Sequence, residues 1–289
     1  MAVKTVQYIF NGTTYTLTKN TSTGKYEATV TAPNKSSYSQ TDHVLGGTVK
    51  ATDEAGNTTT VDQTHATLKI RVKEKVAPVV NISSPSSGAY LTSATPTIEF
   101  TVTDSDSGVA SAKITLDGTE ITSVTKTAIT GGYKYTCTPA TALKDGKHTI
   151  SITATDNDGN TSAAKTSTFT VDTVPPTLSI TAPADKLITN KSTVTVTGKT
   201  DDVTSKPVTV TINGTAVTVE ADGTFSKDVT LVNGSNTITI IAKDKASKTT
   251  TVVRTVTLDT AAPVIKSIAL TPNPVDCGKT FVISVEVTD

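Results

Sequence analysis

Ile150-Ser151-Ile152-Thr153-Ala154-Thr155-Asp156-Asn157-Asp158-Gly159-Asn160 alternates apolar with small polar residues and then breaks into a turn. Period-two alternation places Ile150, Ile152 and Ala154 on one face of a strand and leaves the other face to water. Asp156 can hydrogen-bond its own turn backbone, and Gly159 supplies the positive φ that such a turn needs. The signature recurs as Ala51-Thr52-Asp53-Glu54-Ala55-Gly56-Asn57 and, weakened, as Ala242-Lys243-Asp244-Lys245-Ala246-Ser247-Lys248. A hairpin repeated in this way marks a modular chain.

The module starts repeat as well. Ala77-Pro78-Val79-Val80-Asn81-Ile82, Pro175-Pro176-Thr177-Leu178-Ser179-Ile180 and Ala262-Pro263-Val264-Ile265-Lys266-Ser267-Ile268 begin alike. Each proline sits where a first, edge strand tolerates a missing N–H. Between these marks the alternation continues through Ile98, Phe100 and Val102, through Val194 and Val196, and through Val208, Val210 and Ile212. Asn11-Gly12, Asp117-Gly118 and Asn213-Gly214 supply tight-turn dipeptides. Threonine fills 64 of the 289 positions; it is β-branched, favoured on pleated surfaces and poor in helices. The expected fold is all-β, a series of tandem immunoglobulin-like β-sandwich modules with about seven short strands in each.

The Asp-Thr-x-x-Pro links at Asp172 and Asp259, the Ala-Thr-Asp-x-x-Gly-Asn hairpins and the run Ile212-Asn213-Gly214-Thr215-Ala216-Val217-Thr218-Val219 resemble those of bacterial Ig-like repeats. The resemblance covers nearly the whole chain. It implies a place on Gram-positive surface proteins, among accessory modules of secreted glycosidases, or in prophage tail-region proteins, where such modules act as spacers, adhesins and structural decoration. Fold likeness alone does not choose among these.

The repeats predict modules at residues 78–174 and 175–261, an incomplete module at 1–77 lacking its first two strands, and a two-strand fragment at 262–289. Setting Asn11-Gly12 against Asp117-Gly118 places Val6, Tyr8 and Phe10 opposite Ala112, Ile114 and Leu116. Phe281, Ile283, Val285 and Val287 fall on the pattern of the second strand of a module, since Asp104 and Asp289 each lie 26 residues after their proline. Head and tail are therefore expected to be two parts of one sandwich, completed by a bent chain closing on itself or, in the preferred reading, head to tail by a neighbouring copy.

The 26 Lys+Arg balance the 26 Asp+Glu, so the basic footprint of a nucleic-acid binder is missing. No stretch approaches the roughly 18 apolar residues of a membrane span. Cys137 and Cys277 fall in different modules and are read as free thiols. Met1-Ala2-Val3-Lys4-Thr5-Val6-Gln7-Tyr8 lacks a signal-peptide pattern, which leaves a piece of a longer secreted protein or release with a virion. Either reading puts the protein outside the cell, on a bacterial surface or a phage tail.

His43, His65 and His148 share no module position, so a catalytic site is not expected. Asp104, Asp106, Asp156 and Asp158 crowd the middle module, and Asp-x-Asp spacing suits a hard cation such as calcium; no other cofactor is implied. Without tryptophan, a sugar platform falls to tyrosine, and Tyr15 and Tyr38 are the candidates for a host surface glycan or protein. The expected function is a non-enzymatic structural or adhesive array; the rival is a carbohydrate-binding or spacer module of a secreted glycosidase.

Overall fold

The computed structural model describes residues 2–289 and divides into two compact units, Met1–Val171 and Asp172–Asp289. Among the described residues, helical structure is confined to two three-residue 3-10 turns, Thr41–His43 and Ala66–Leu68. Pro78, Pro176 and Pro263 each stand directly before a first strand: Val79–Ser84, Thr177–Ala182 and Val264–Thr271.

Residues 79–171 form a complete two-sheet sandwich. One sheet runs Thr125–Ile129, Gly132–Cys137, Ile98–Thr103, Val79–Ser84; the other runs Thr119–Glu120, Val109–Leu116, Gly146–Asp156, Lys165–Val171, Tyr90–Leu91. Alternation along Ile98–Thr103 buries Ile98, Phe100 and Val102 against Ile114, Ile150, Ile152, Phe169 and Val171 from the facing sheet. Phe100 stacks on Tyr135 with ring centroids 4.8 Å apart. Burying one such aromatic or branched side chain contributes about 1.5–3 kcal/mol. The short strand Tyr90–Leu91 joins the last strand in parallel, a pairing that the alternation did not announce.

The first 77 residues repeat one sheet of this sandwich. Val3–Phe10 lies between Thr13–Thr16 and Leu45–Asp53, with Thr58–Val61 beyond. The pairing of Val3 with Asp53 and Thr5 with Thr52, across a bulge, reproduces that of Val109 with Asp156 and Ser111 with Thr155. The second sheet is reduced to the ladder Thr18–Lys19/Tyr26–Glu27. Among the described residues here, Phe10 and Val72 are the buried apolar side chains, and Tyr8, Val6 and Val49 stay half-buried.

The second unit holds another sandwich. Thr177–Ala182, Thr193–Asp201 and Thr224–Thr230 face Leu187–Thr189, Thr249–Leu258, Gly234–Lys243, Thr209–Ile212 and Thr215–Val217. Val196, Val210, Ile212, Ile238, Ile240 and Val256 fill its core. Leu187–Thr189 again joins the last strand in parallel. The chain continues into an antiparallel hairpin, Val264–Thr271 with Val282–Thr288, whose residues are exposed almost throughout.

Candidate metal and assembly sites

The acidic residues at the module starts and hairpins converge. Oxygens of Glu74, Asp104 and Asp156 lie within 4.8 Å of one another, as do those of Asp172, Asp202 and Asp244. The two sets occupy the same places in their modules. Glu74 and Asp172 precede Pro78 and Pro176 by four residues, Asp104 and Asp202 follow those prolines by 26, and Asp156 and Asp244 open the closing hairpins. Each carboxylate is oriented by backbone N–H groups. Asp104 accepts from Asp106 and Gly108, and Asp202 from Thr204 and Ser205. Asp156 accepts from Asp158 and Asn160, and Asp244 from Lys248.

Of the four aspartates expected to gather around calcium, only Asp104 and Asp156 come together, and Glu74 joins them. Asp106 instead accepts the Ser36 N–H, and Asp158 accepts the Ser36 hydroxyl and the Glu74 N–H. The Arg71 guanidinium lies 3.5 Å from Asp158. These contacts dock the first 77 residues onto the middle sandwich. Burial opposes ionisation of Asp158, but the Ser36, Glu74 and Arg71 donors outweigh it and hold its carboxyl below the usual range. Sequence reading confined the acidic site to the middle module and missed Glu74, Asp172, Asp202 and Asp244. Their shared offsets from the module prolines were the signal available.

Tyr15 pairs with Tyr8 across the first sheet, and Tyr38 stacks on His43 with centroids 4.1 Å apart, which covers one face of its ring. His65 accepts the Thr67 N–H at the start of a 3-10 turn. His148 touches Asp117 Oδ2 at 2.7 Å and the Lys144 carbonyl at 2.8 Å. With both ring nitrogens engaged, His148 has none left to receive a proton from a nucleophile.

Of the residues expected to mediate assembly, Tyr8 lines an open cleft and Phe281, Ile283, Val285 and Val287 lie exposed. In the first module, Tyr8, Leu17, Ala28, Val30, Val49 and Ile70 line a cleft on the inner face of the sheet. Val6 is half-buried and Phe10 is buried, stacked on Tyr8 at 5.7 Å. In the terminal hairpin, Phe281, Ile283, Val285 and Val287 are exposed. That hairpin begins in the register of the middle module's first two strands: Val264 pairs with Thr288 and Ile265 with Val287, as Val79 pairs with Thr103 and Val80 with Val102. Its bulge follows Ile265, earlier along the ladder than the one at Glu99/Phe100.

Residues 81–173 match the family model of a bacterial Ig-like domain, and residues 176–260 match that of glucodextranase domain B. No curated protein matches the chain. Among solved structures, the chain is similar to the fibronectin(III)-like modules of Clostridium thermocellum CbhA at 20% identity and TM-score 0.40, covering 63% of this chain and 94% of that one. It is similar to a 1.5-MDa bacterial ice-binding adhesin at 22% identity and TM-score 0.36, covering 89% and 87%. A tetra-tandem repeat from the extending region of a large adhesion protein gives 19% identity and TM-score 0.33, covering 98% and 79%. The two matched stretches are thus all-β Ig-like sandwiches that follow one another along the chain.

Proposed function

We infer that the protein is a non-enzymatic structural and adhesive array, displayed outside the cell on a bacterial surface or phage tail, whose copies join head to tail by strand complementation. One observation supports the reading: the terminal hairpin begins in the register of a module's first two strands, and the first module has an open cleft lined by Tyr8 and Val49, which pair as Ile114 and Ile152 pair in the middle module. The occupant of the cleft is the hairpin of a second copy. Burying Phe281, Ile283, Val285 and Val287 contributes about 1.5–3 kcal/mol each before ordering costs. A head-to-tail contact of this kind is heterologous and builds rings or filaments.

Sedimentation equilibrium of the full chain tests it. Association is expected to rise with concentration and to be lost in Val285→Asp, while the two complete sandwiches melt unchanged. A chain that stays monomeric at all concentrations, with first-module melting unaltered by removal of residues 262–289, overturns the reading. The match to glucodextranase domain B over residues 176–260 favours a second reading, an accessory module of a secreted glycosidase. That reading predicts retention on polysaccharide columns, whereas the array reading predicts the protein in washed cell envelopes or purified phage particles.

A further inference from the structure

We propose that Asp172, Asp202 and Asp244 form a calcium site at the entrance to the second unit's sandwich. All three are buried, at 1%, 6% and 5% exposure, and their oxygens lie within 4.8 Å of one another. Three carboxylates so close repel, and burial removes the water that would screen them.

Two of the oxygens point independently to a ligand. Asp172 Oδ2 and Asp244 Oδ2 are sealed from solvent and have no hydrogen-bond partner among the described residues. Buried polar atoms are nearly always satisfied, so two such atoms in one acidic cluster call for a cation. The other oxygens are already committed. Asp172 Oδ1 accepts the Val174 N–H at 3.2 Å, Asp202 Oδ1 those of Thr204 at 2.8 Å and Ser205 at 2.6 Å, and Asp244 Oδ1 that of Lys248 at 2.9 Å. Backbone donors thus aim each carboxylate and leave an acceptor free. Ser205 Oγ, in the same loop as Asp202, is also buried without a partner.

In the middle module, protein donors reach carboxylate oxygens of the corresponding cluster. There Asn160 Nδ2 donates to Asp156 Oδ2 at 2.7 Å, and Glu74 Oε1 receives the Ser107 N–H at 2.8 Å. The equivalent of Asn160 in the second unit is Lys248, whose N–H reaches Asp244 Oδ1 but which leaves Oδ2 open. The donors are all oxygens, with no imidazole or thiolate, which selects a hard cation. Ligands at calcium's roughly 2.3–2.6 Å lie at most about 5 Å apart, so the observed spread fits one ion. The ion would hold Asp172, the first residue of the unit, against the loops that carry Asp202 and Asp244. The inference is independent of how copies associate.

The test is calcium titration of the chelator-treated full chain by calorimetry, with hydrogen exchange read at peptides spanning residues 200–206 and 242–248. In the native chain calcium is expected to slow exchange in both peptides and to raise the melting temperature of this sandwich by about 4 °C or more. Asp202→Asn and Asp244→Asn keep the side-chain shape. Each is expected to weaken binding at least about tenfold while leaving the calcium-free sandwich as stable as the native one or more so, because a repulsive charge is gone. If calcium leaves exchange in both peptides unchanged, the proposal fails. It also fails if the response persists in both variants, since the ion then sits elsewhere.

Discussion

Burial of the His148 ring disfavours its charged form, yet Asp117 and the Lys144 carbonyl outweigh burial and raise its pKa above the ordinary histidine value. A raised folded pKa gives stability that is complete below about pH 6.5 and is lost as pH climbs through the folded value. The middle sandwich is therefore expected to melt at lower temperature as pH rises from about 6 towards 8, and His148→Gln should flatten that slope in scanning calorimetry. Asp158 behaves in the opposite sense. Its depressed pKa gives stability that is present above about pH 4 and lost as pH falls through the folded value. Acid should then release the first 77 residues, seen as faster hydrogen exchange around Ser36 and Arg71. Asp158→Ala should cost about 2 kcal/mol at neutral pH, because it strands the Ser36 and Glu74 donors. Composition and spacing marked Asp158 as interesting, but its partners lie 84 to 122 residues away, a separation that local pattern does not span.

Strands and their turns were readable because each is a local statement. Alternation along Ile98–Thr103 needs only neighbouring residues, and Asn11-Gly12, Asp117-Gly118 and Asn213-Gly214 all adopt positive φ as hairpin dipeptides should. The weaker hairpin at Asp244 keeps its shape because Ser247, at φ 69°, stands where the other hairpins have glycine. What could not be read is which distant segments meet. The two-residue strand Tyr90–Leu91 carries too little alternation to announce itself, and the acidic triads draw on positions far apart in the chain. Depth of core separates the elements energetically. Phe100→Ala is expected to cost about 3–5 kcal/mol, whereas Phe281→Ala in the exposed hairpin should leave the monomer's stability within about 0.5 kcal/mol, both measured by denaturant unfolding.

At the scale of the whole molecule, charge and surface pull apart two ways of associating. The chain carries equal numbers of acidic and basic residues, so long-range attraction between copies is weak. If apolar complementation joins them, high salt should leave sedimentation unchanged or strengthen it, whereas a charge-driven contact would dissolve as the screening length shrinks. Salt dependence of the weight-average mass distinguishes the two directly.

The parallel pairings of Tyr90–Leu91 with Thr170–Val171, and of Leu187–Thr189 with Val256–Leu258, have a mechanical consequence. A strand near the entrance of each sandwich is bonded alongside the strand that leaves it. Tension applied between the two ends of a sandwich slides these strands past each other. Their hydrogen bonds, with the flanking Gly88 to Thr168 and Lys186 to Thr255 bonds, are then loaded together and do not open one by one. Such a module is expected to give way abruptly and not by gradual unzipping. Single-molecule pulling should show one sharp rupture per sandwich, and Leu91→Pro should lower the rupture force of the middle one selectively.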